Sequence, residues 1–290
     1  MLGTLNKVMD YIEEHLGEEL SLEELAKVSG IGDYHFRTIF YYLSGGISLS
    51  EYIRGRRLSQ AGMALVQGES VTDVAYAYGY QSLDGFTRAF TAFSGMLPSE
   101  VRKRGMSKAY PKLSFKITVE GGERMDYRIV EKPAFKIAGV SRRVPMQFEG
   151  VNNAIVELAK SITEEQRKEM HSLQNIEPYH VLNASYEADA KFMKEEGYLT
   201  HMIGVLTTKE DISDLLDVVE LPSTLWAVFP SEGAFPRVLQ DTMASIYARW
   251  LPSSDFELLD LPSFSWSDIE GNTAKSEIWI PVKKRETKMH

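Results

Sequence analysis

Ser21-Leu22-Glu23-Glu24-Leu25-Ala26-Lys27-Val28-Ser29-Gly30 and Ser70-Val71-Thr72-Asp73-Val74-Ala75-Tyr76-Ala77-Tyr78-Gly79 say nearly the same thing in the same order. Each opens with a Ser-x-x-acid capping box, continues with apolar residues at helical spacing, and stops at a glycine. After each glycine a second helix is expected, over Asp33 to Phe40 and over Ser82 to Phe90. A short helix, a glycine turn and a second helix form a helix-turn-helix unit, whose second helix enters the major groove of DNA. One such pattern is a common accident of helical chains. Two of them, 49 residues apart from Gly30 to Gly79, are not.

Working outward, a stripe of Leu5, Val8, Met9, Ile12 and Leu16 predicts a first helix with an acidic outer face. A third capping box, Ser48-x-x-Glu51, opens a longer helix through Tyr52, Ile53, Leu58, Ala61 and Leu65 that joins the two units. Pro98 and Gly105 bracket a last short helix. Residues 106–124, with Pro111 and Gly121-Gly122, read as a connector with one strand at 113–119.

Charge supports this division. The 290 residues carry a formal net charge of −9, which is unusual for a DNA-binding chain. Yet residues 31–108 hold nine Lys/Arg against six acids, and both expected reader helices lie there. Phosphate contact needs local positive charge, and a remote acidic domain does not forbid it. Cysteine is absent, which excludes disulfides, thiol catalysis and cysteine-based zinc sites. No apolar run reaches the roughly 18 residues of a membrane span, and the charged N-terminus does not read as a signal peptide. A cytoplasmic location is expected.

Beyond residue 125 the pattern turns mixed. Strands are expected near 125–131, 134–143, 179–187, 199–208, 224–230, 256–261 and 275–282. Amphipathic helices are expected on Val151, Ala154, Ile155, Leu158 and Ile162, and on Phe235, Val238, Leu239, Met243, Ile246 and Trp250. Strand-helix-strand-strand occurs twice, which predicts a duplicated α+β unit with a concavity between its halves. The fold class is therefore multidomain: an all-α double helix-turn-helix at 1–107, a linker at 108–124, and an α+β small-molecule domain at 125–285.

With those residues in view, the first 107 resemble the DNA-binding domain of AraC/XylS-type transcriptional regulators. The matching segments are Leu20 to Gly30, Tyr34-His35-Phe36, Glu51-Tyr52-Ile53-Arg54, Arg56-Arg57-Leu58, Asp73-Val74-Ala75 to Gly79-Tyr80, and Phe86-Thr87-Arg88-Ala89-Phe90. The chain departs from the pattern at Gly45-Gly46, one residue longer than usual. Residues 125–285 are similar to the GyrI-like effector-binding domain, through Tyr127 to Pro133, Ala227-Val228-Phe229, Gly233-x-Phe235-Pro236, Tyr247 to Pro252 and Glu277 to Val282. The resemblance implies a pocket for hydrophobic, often cationic molecules, with RNA polymerase as a further partner and a monomer or homodimer as the working form. Members frequently place a glutamate near 264–266. Here the sequence is Phe264-Ser265-Trp266, without that carboxylate.

Candidate sites follow. On the first reader helix Phe36 and Phe40 face the core, leaving Tyr34, His35, Arg37 and Thr38 for DNA. Arginine there forks onto guanine, and threonine can touch a thymine methyl. Arg56 and Arg57, with Arg54, form a basic cluster expected at phosphates. On the second reader Leu83, Asp84, Thr87 and Arg88 are the exposed candidates, with Asp84 poorly suited to a phosphate backbone. In the C-terminal domain Glu277 shares a strand face with Trp279, an acid beside an aromatic wall that suits a hydrophobic cation. Trp226, Phe229, Tyr247 and Trp266 are expected to line the same cleft. His180 and His201 show no metal-ligand spacing, and no metal, cofactor or catalytic residue is assigned. There is no Gly-x-Ser-x-Gly, His-Glu-x-x-His, P-loop or dinucleotide fingerprint. The competing reading is a hydrolase or ligand-sequestering module tethered to a DNA-binding domain, with a Glu–Tyr pair activating water.

Overall fold

Seven helices form the N-terminal part of the computed structural model, which describes residues 2–115, 125–147, 151–188 and 197–285. They are α1 (Leu2–Glu14), α2 (Leu22–Ser29), α3 (Asp33–Leu43), α4 (Leu49–Val66), α5 (Val71–Ala77), α6 (Leu83–Ser94) and α7 (Pro98–Arg104). The three serines cap as the sequence predicts, although only Ser21 has the reciprocal acid-to-amide bond of a full capping box, from its own amide to Glu24. Ser21 Oγ accepts from the Glu24 amide at 3.2 Å, Ser48 Oγ from Glu51 at 3.2 Å, and Ser70 Oγ from Asp73 at 3.1 Å. Gly30 and Gly79 close the two turns at φ of 63° and 83°, a region in which a β-carbon is costly.

The two helix-turn-helix units have separate cores. Leu58, Ala61, Leu65, Val74, Phe86 and Phe90 build the second. The first, on α1, α2, α3 and the start of α4, does not end within its own domain. Leu5, Met9, Ile12, Phe36, Phe40 and Tyr52 belong to one continuous cluster with Phe229, Ile246, Tyr247, Trp250 and Ile278 of the C-terminal part. The first unit is thus docked on the second half of the chain.

The expected connector is an ordered strap where it is described. Tyr110 N–H donates to Ser59 Oγ at 2.9 Å, Leu113 N–H to Tyr52 Oη at 3.3 Å, and Phe115 exchanges two hydrogen bonds with Asn6. Gly55 and Gly62 on α4 leave room for it. A β-carbon at Gly62 would meet Ser107 Oγ at 2.1 Å. Residues 113–115 are not strand, and the rest of the strand expected at 113–119 lies outside the described residues.

The C-terminal part is one curled antiparallel sheet with helices on one face. Its strands are β1 (Arg128–Lys132), β2 (Phe135–Pro145), β3 (Leu182–Tyr186), β4 (Tyr198–Thr207), β5 (Asp217–Leu221), β6 (Thr224–Ala234), β7 (Phe256–Leu258), β8 (Ser263–Glu270) and β9 (Thr273–Lys284). The order is β1-β6-β9-β8-β3-β4-β2-β5, with β7 against β9. The helices are α8 (Asn153–Ser161), α9 (Glu164–Leu173), α10 (Arg237–Ser245), wider π turns over Ile246–Trp250, and α11 (Leu251–Ser253). The repeated strand-helix-strand-strand order is present, with α9, β5 and β8 added to the sequence expectation.

Parity along β9 sorts the two faces. Ile278, Ile280 and Val282 point to the helices and the docked first unit. Trp279 points into the curl, where Phe135, Leu182, Met202, Trp226 and Phe264 pack together. Phe135 from β2 lies 5.7 Å from Trp226 of β6, centroid to centroid, so strands from both halves meet inside the curl.

Candidate functional site

The second reader helix stands open. Phe86 and Phe90 of α6 are fully buried, while Leu83, Asp84 and Arg88 are exposed and Thr87 is half-buried. Ser82 caps the helix through the Gly85 amide at 3.2 Å. Arg54 and the α7 residues Arg102, Lys103 and Arg104 are also exposed.

The first reader helix is covered, which corrects the expectation of an outward-facing ridge. His35, Arg37 and Thr38 on α3 are 2%, 7% and 4% exposed. The covering groups belong to the C-terminal part. His35 Nε2 lies 3.3 Å from the Leu261 carbonyl and donates to it. The Asp260 carboxylate sits against Gly32, where a β-carbon would meet Oδ1 at 2.0 Å. The Arg37 guanidinium packs on Gly197, and Tyr42 stacks on Tyr247. The side chain of Tyr34 lies outside the described residues.

Arg56 and Arg57 are corrected as well. Both turn inward from α4, where the spacing put them on the helix's buried side. Arg56 grips Glu13 of α1 with two bonds, Nε to Oε1 at 2.7 Å and Nη2 to Oε2 at 2.6 Å, and also donates to the Tyr110 carbonyl. Tyr52 Oη donates to the same carboxylate at 2.9 Å. Arg57 closes the carbonyls of Leu16 and Glu18, at 2.7 and 2.6 Å. These guanidiniums hold α1 and the turn that follows it to α4 rather than waiting for phosphates.

The six residues expected to line one effector pocket are divided between the sheet's two faces. Trp226, Trp266, Glu277 and Trp279 lie on the inner, curled side. Phe229 and Tyr247 lie on the helix side, packed against α1–α3. Strand alternation separates them, because Phe229 and Trp226 differ by an odd number of residues. Glu277 has three side-chain partners. Its Oε2 accepts from Trp266 Nε1 at 3.1 Å and Trp279 Nε1 at 3.0 Å, and its Oε1 meets Arg128 at 2.7 Å. Burial alone would raise its pKa, but the Arg128 pair and the two indole donors hold it below the usual carboxylate range. Arg128 and Lys132 also lie over the Trp279 ring, at 5.6 and 5.5 Å. The acid-and-aromatic arrangement expected for a foreign cation is filled by the chain's own cations.

A different cleft opens on the helix side, between α8, α10 and the sheet centre. Its cavity is about 220 Å³. Ser185, His201, Ser265 and Ile278 form the floor, Ile155, Leu239 and Met243 the walls. Thr38 and Tyr42 of the covered reader helix complete it. Among its described lining residues there is no Asp, Glu, Lys or Arg. The one titratable imidazole is neutral, because burial pushes the His201 pKa down to about 4. His201 Nε2–H donates to Asn183 Oδ1 at 3.1 Å, leaving Nδ1 to accept from Ser185 Oγ at 3.0 Å. Sequence reasoning missed this floor because it sought aromatics and acids. The available signal was alternation in Ser263-Phe264-Ser265-Trp266-Ser267, which puts serines on the face opposite the indoles.

Among the described residues no group of three or more His, Asp or Glu could hold a metal ion, and no helix is long and apolar enough to cross a membrane.

Comparison with known proteins matches the helical part and the sheet part to separate families. A family model described as a GyrI-like small molecule binding domain matches residues 125–283, and a helix-turn-helix domain model matches 25–104. The HTH-type transcriptional regulator YbfP of Bacillus subtilis is 37% identical over 108 residues, 36% of this chain and 36% of that protein. The multiple antibiotic resistance protein MarA of Escherichia coli is 31% identical over 104 residues, 36% of this chain and 81% of MarA. The chain thus spans about a third of YbfP's length and most of MarA's. Among solved structures, SAV2435 bound to tetraphenylphosphonium is similar at 20% identity and a TM-score of 0.42, over 55% of this chain and 94% of that one.

Proposed function

Since the chain belongs to the GyrI-like small-molecule-binding family, with an AraC-type helix-turn-helix domain at its N-terminus, we propose that it is a ligand-responsive transcriptional regulator. In this reading α6 presents Thr87 and Arg88 to a major groove, with Leu83 and Asp84 at its rim. The paired unit supplies α3 to the next groove, about one helical turn away, only once α3 is uncovered from the sheet domain. DNA, a small molecule and RNA polymerase are the partners, and the cytoplasm is the place of work.

The effector site is the helix-side cleft, and its ligand is hydrophobic and uncharged. One observation carries this: the cleft's described lining has no formal charge, while Glu277, the acid beside the tryptophans, is paired with Arg128. A desolvated ammonium or phosphonium facing serines, amides and a neutral imidazole would have no counter-charge. We read the domain as a sensor rather than a hydrolase because Glu277, the acid of the competing reading, is already bonded to Arg128, Trp266 and Trp279.

Two measurements test the reading. Selection from a random duplex library should return a site spanning one or two adjacent major grooves, lost on Arg88→Ala. Thermal-shift titration should show stabilisation by uncharged aromatic compounds that grows with concentration as RT ln(1 + [L]/Kd). Stabilisation by tetraphenylphosphonium alone, with none from an uncharged aromatic of like size, would refute the ligand class.

A further inference from the structure

We propose that the reader helix α3 and the effector share one seat, so that the ligand enters only when α3 leaves and the departure of α3 arms the first DNA reader. This deepens the cleft assignment above and rests on it.

Three observations converge. First, α3 carries two buried faces of opposite character. Phe36 and Phe40 pack into their own helical domain, whereas His35, Arg37 and Thr38 are buried by the sheet domain. A helix needs one apolar face to fold, and a second face of arginine, histidine and threonine is one built for a polar partner. These are the side chains an AraC-type reader turns toward base edges. They cannot lie in a major groove and against Leu261 and Gly197 together.

Second, the cleft is undersized while α3 is in place. Pockets for drug-sized ligands run to about 300–1,000 Å³, against the 220 Å³ bounded by Thr38 and Tyr42. Withdrawing those two side chains joins the cavity to the space they fill and exposes the Tyr247 face that Tyr42 now covers. The ligand would therefore replace an aromatic ring with an aromatic ring.

Third, the occlusion is selective. The reader helix of the second unit keeps Arg88 exposed, while that of the first is closed. A closed protein can hold DNA by one unit, and an opened one by two. Ligand and second-groove binding then favour the same open state, and by linkage each strengthens the other.

The chain has no cysteine, so a lock can be engineered cleanly. Gly32→Cys with Asp260→Cys places two thiols where a β-carbon at 32 would already meet the Asp260 Cγ at 2.5 Å. The full-length double variant would be compared oxidised and reduced, for affinity toward a library-selected duplex and for binding of the uncharged dye Nile red. If the closed form is nine-tenths populated after reduction and the open form binds duplex about a hundredfold more tightly than the closed one, reduction should strengthen duplex binding about tenfold, and it should restore dye binding. The hydroxyl-radical footprint should widen from one groove to two. In the complementary Tyr42→Ala variant both affinities should rise above the parent's, a gain that misfolding does not produce. Equal duplex affinity in the two redox forms, dye binding that survives the lock, or parent-like binding by Tyr42→Ala would each overturn the shared seat. If the parent chain selects no duplex at all, the regulator reading itself fails, and the seat with it.

Discussion

Tyr42 of α3 stacks on Tyr247 of the π turns, with ring centroids 6.2 Å apart and planes 12° from parallel. One ring belongs to a DNA-reader helix and the other to the small-molecule domain, 205 positions later in the chain. Tyr247 is 1% exposed, so the contact is sealed. A double-mutant cycle on Tyr42→Ala and Tyr247→Ala should return a coupling of about 0.5–1.5 kcal/mol in unfolding free energy, the range for aromatic pairs beyond their area burial. Strict additivity would mean that the two domains do not meet in solution as they do here.

Arginines of the same basic segment should behave in opposite ways. Arg56→Ala removes the partner of a Glu13 carboxylate that is 15% exposed, and breaking such a buried pair costs about 3–5 kcal/mol. Arg88→Ala touches an exposed side chain and should leave stability within about 0.5 kcal/mol. Its effect belongs to DNA, a loss of about 1–3 kcal/mol if the guanidinium reads a base. Denaturant melts and duplex titrations on the two variants check both. A stable Arg56→Ala that simply binds DNA less would overturn the structural role.

How far the sequence carried can be judged from these residues. The capping boxes and glycine turns were legible because they are local, set by hydrogen bonds three or four residues apart. The missed helix α9 reads Glu164-Glu165-Gln166-Arg167-Lys168-Glu169, and only Met170 and Leu173 are buried, too thin an apolar stripe to register. Arg37 and Arg56 look alike in sequence, and their burial is decided by distant chain, Gly197 for the first and Glu13 with Tyr110 for the second. No local pattern holds that information. The six residues expected around one pocket fall on two faces for a different reason. Trp226 and Phe229 were grouped by chemistry, although strand parity already put them on opposite faces.

Glu277 should prove structural. Glu277→Gln keeps two indole acceptor contacts but loses the ion pair to Arg128. With Arg128 47% exposed, the screened cost is about 1–2 kcal/mol. Because the folded-state pKa is depressed, the parent's extra stability is present above the ordinary carboxylate value of 4.5 and fades as pH falls through the lower folded value. The parent and variant melts should therefore converge in acid. Binding of an uncharged ligand in the helix-side cleft should be unchanged. A large loss of ligand affinity in Glu277→Gln would return the effector to the tryptophan face.

The closed seat of α3 should weaken in mild acid, through His35. Burial drives its pKa down from 6.5, while the Leu261 carbonyl bond and the Asp260 charge push the other way without reversing it. The space beside the ring is also lined by Arg142, Arg143, Glu187, Asp217 and Glu220, charges of both signs. An imidazole that is harder to protonate when covered takes up more protons in the open form. Closure is then at full strength above about pH 6.5 and declines below it. Amide exchange along α3 should accelerate relative to α6 as pH drops from 7.5 to about 5.5, after correction for the intrinsic rate. Substituting His35→Gln, which keeps a donor for Leu261 and cannot titrate, should abolish that difference. A pH response of equal size in His35→Gln would assign it to the surrounding carboxylates instead.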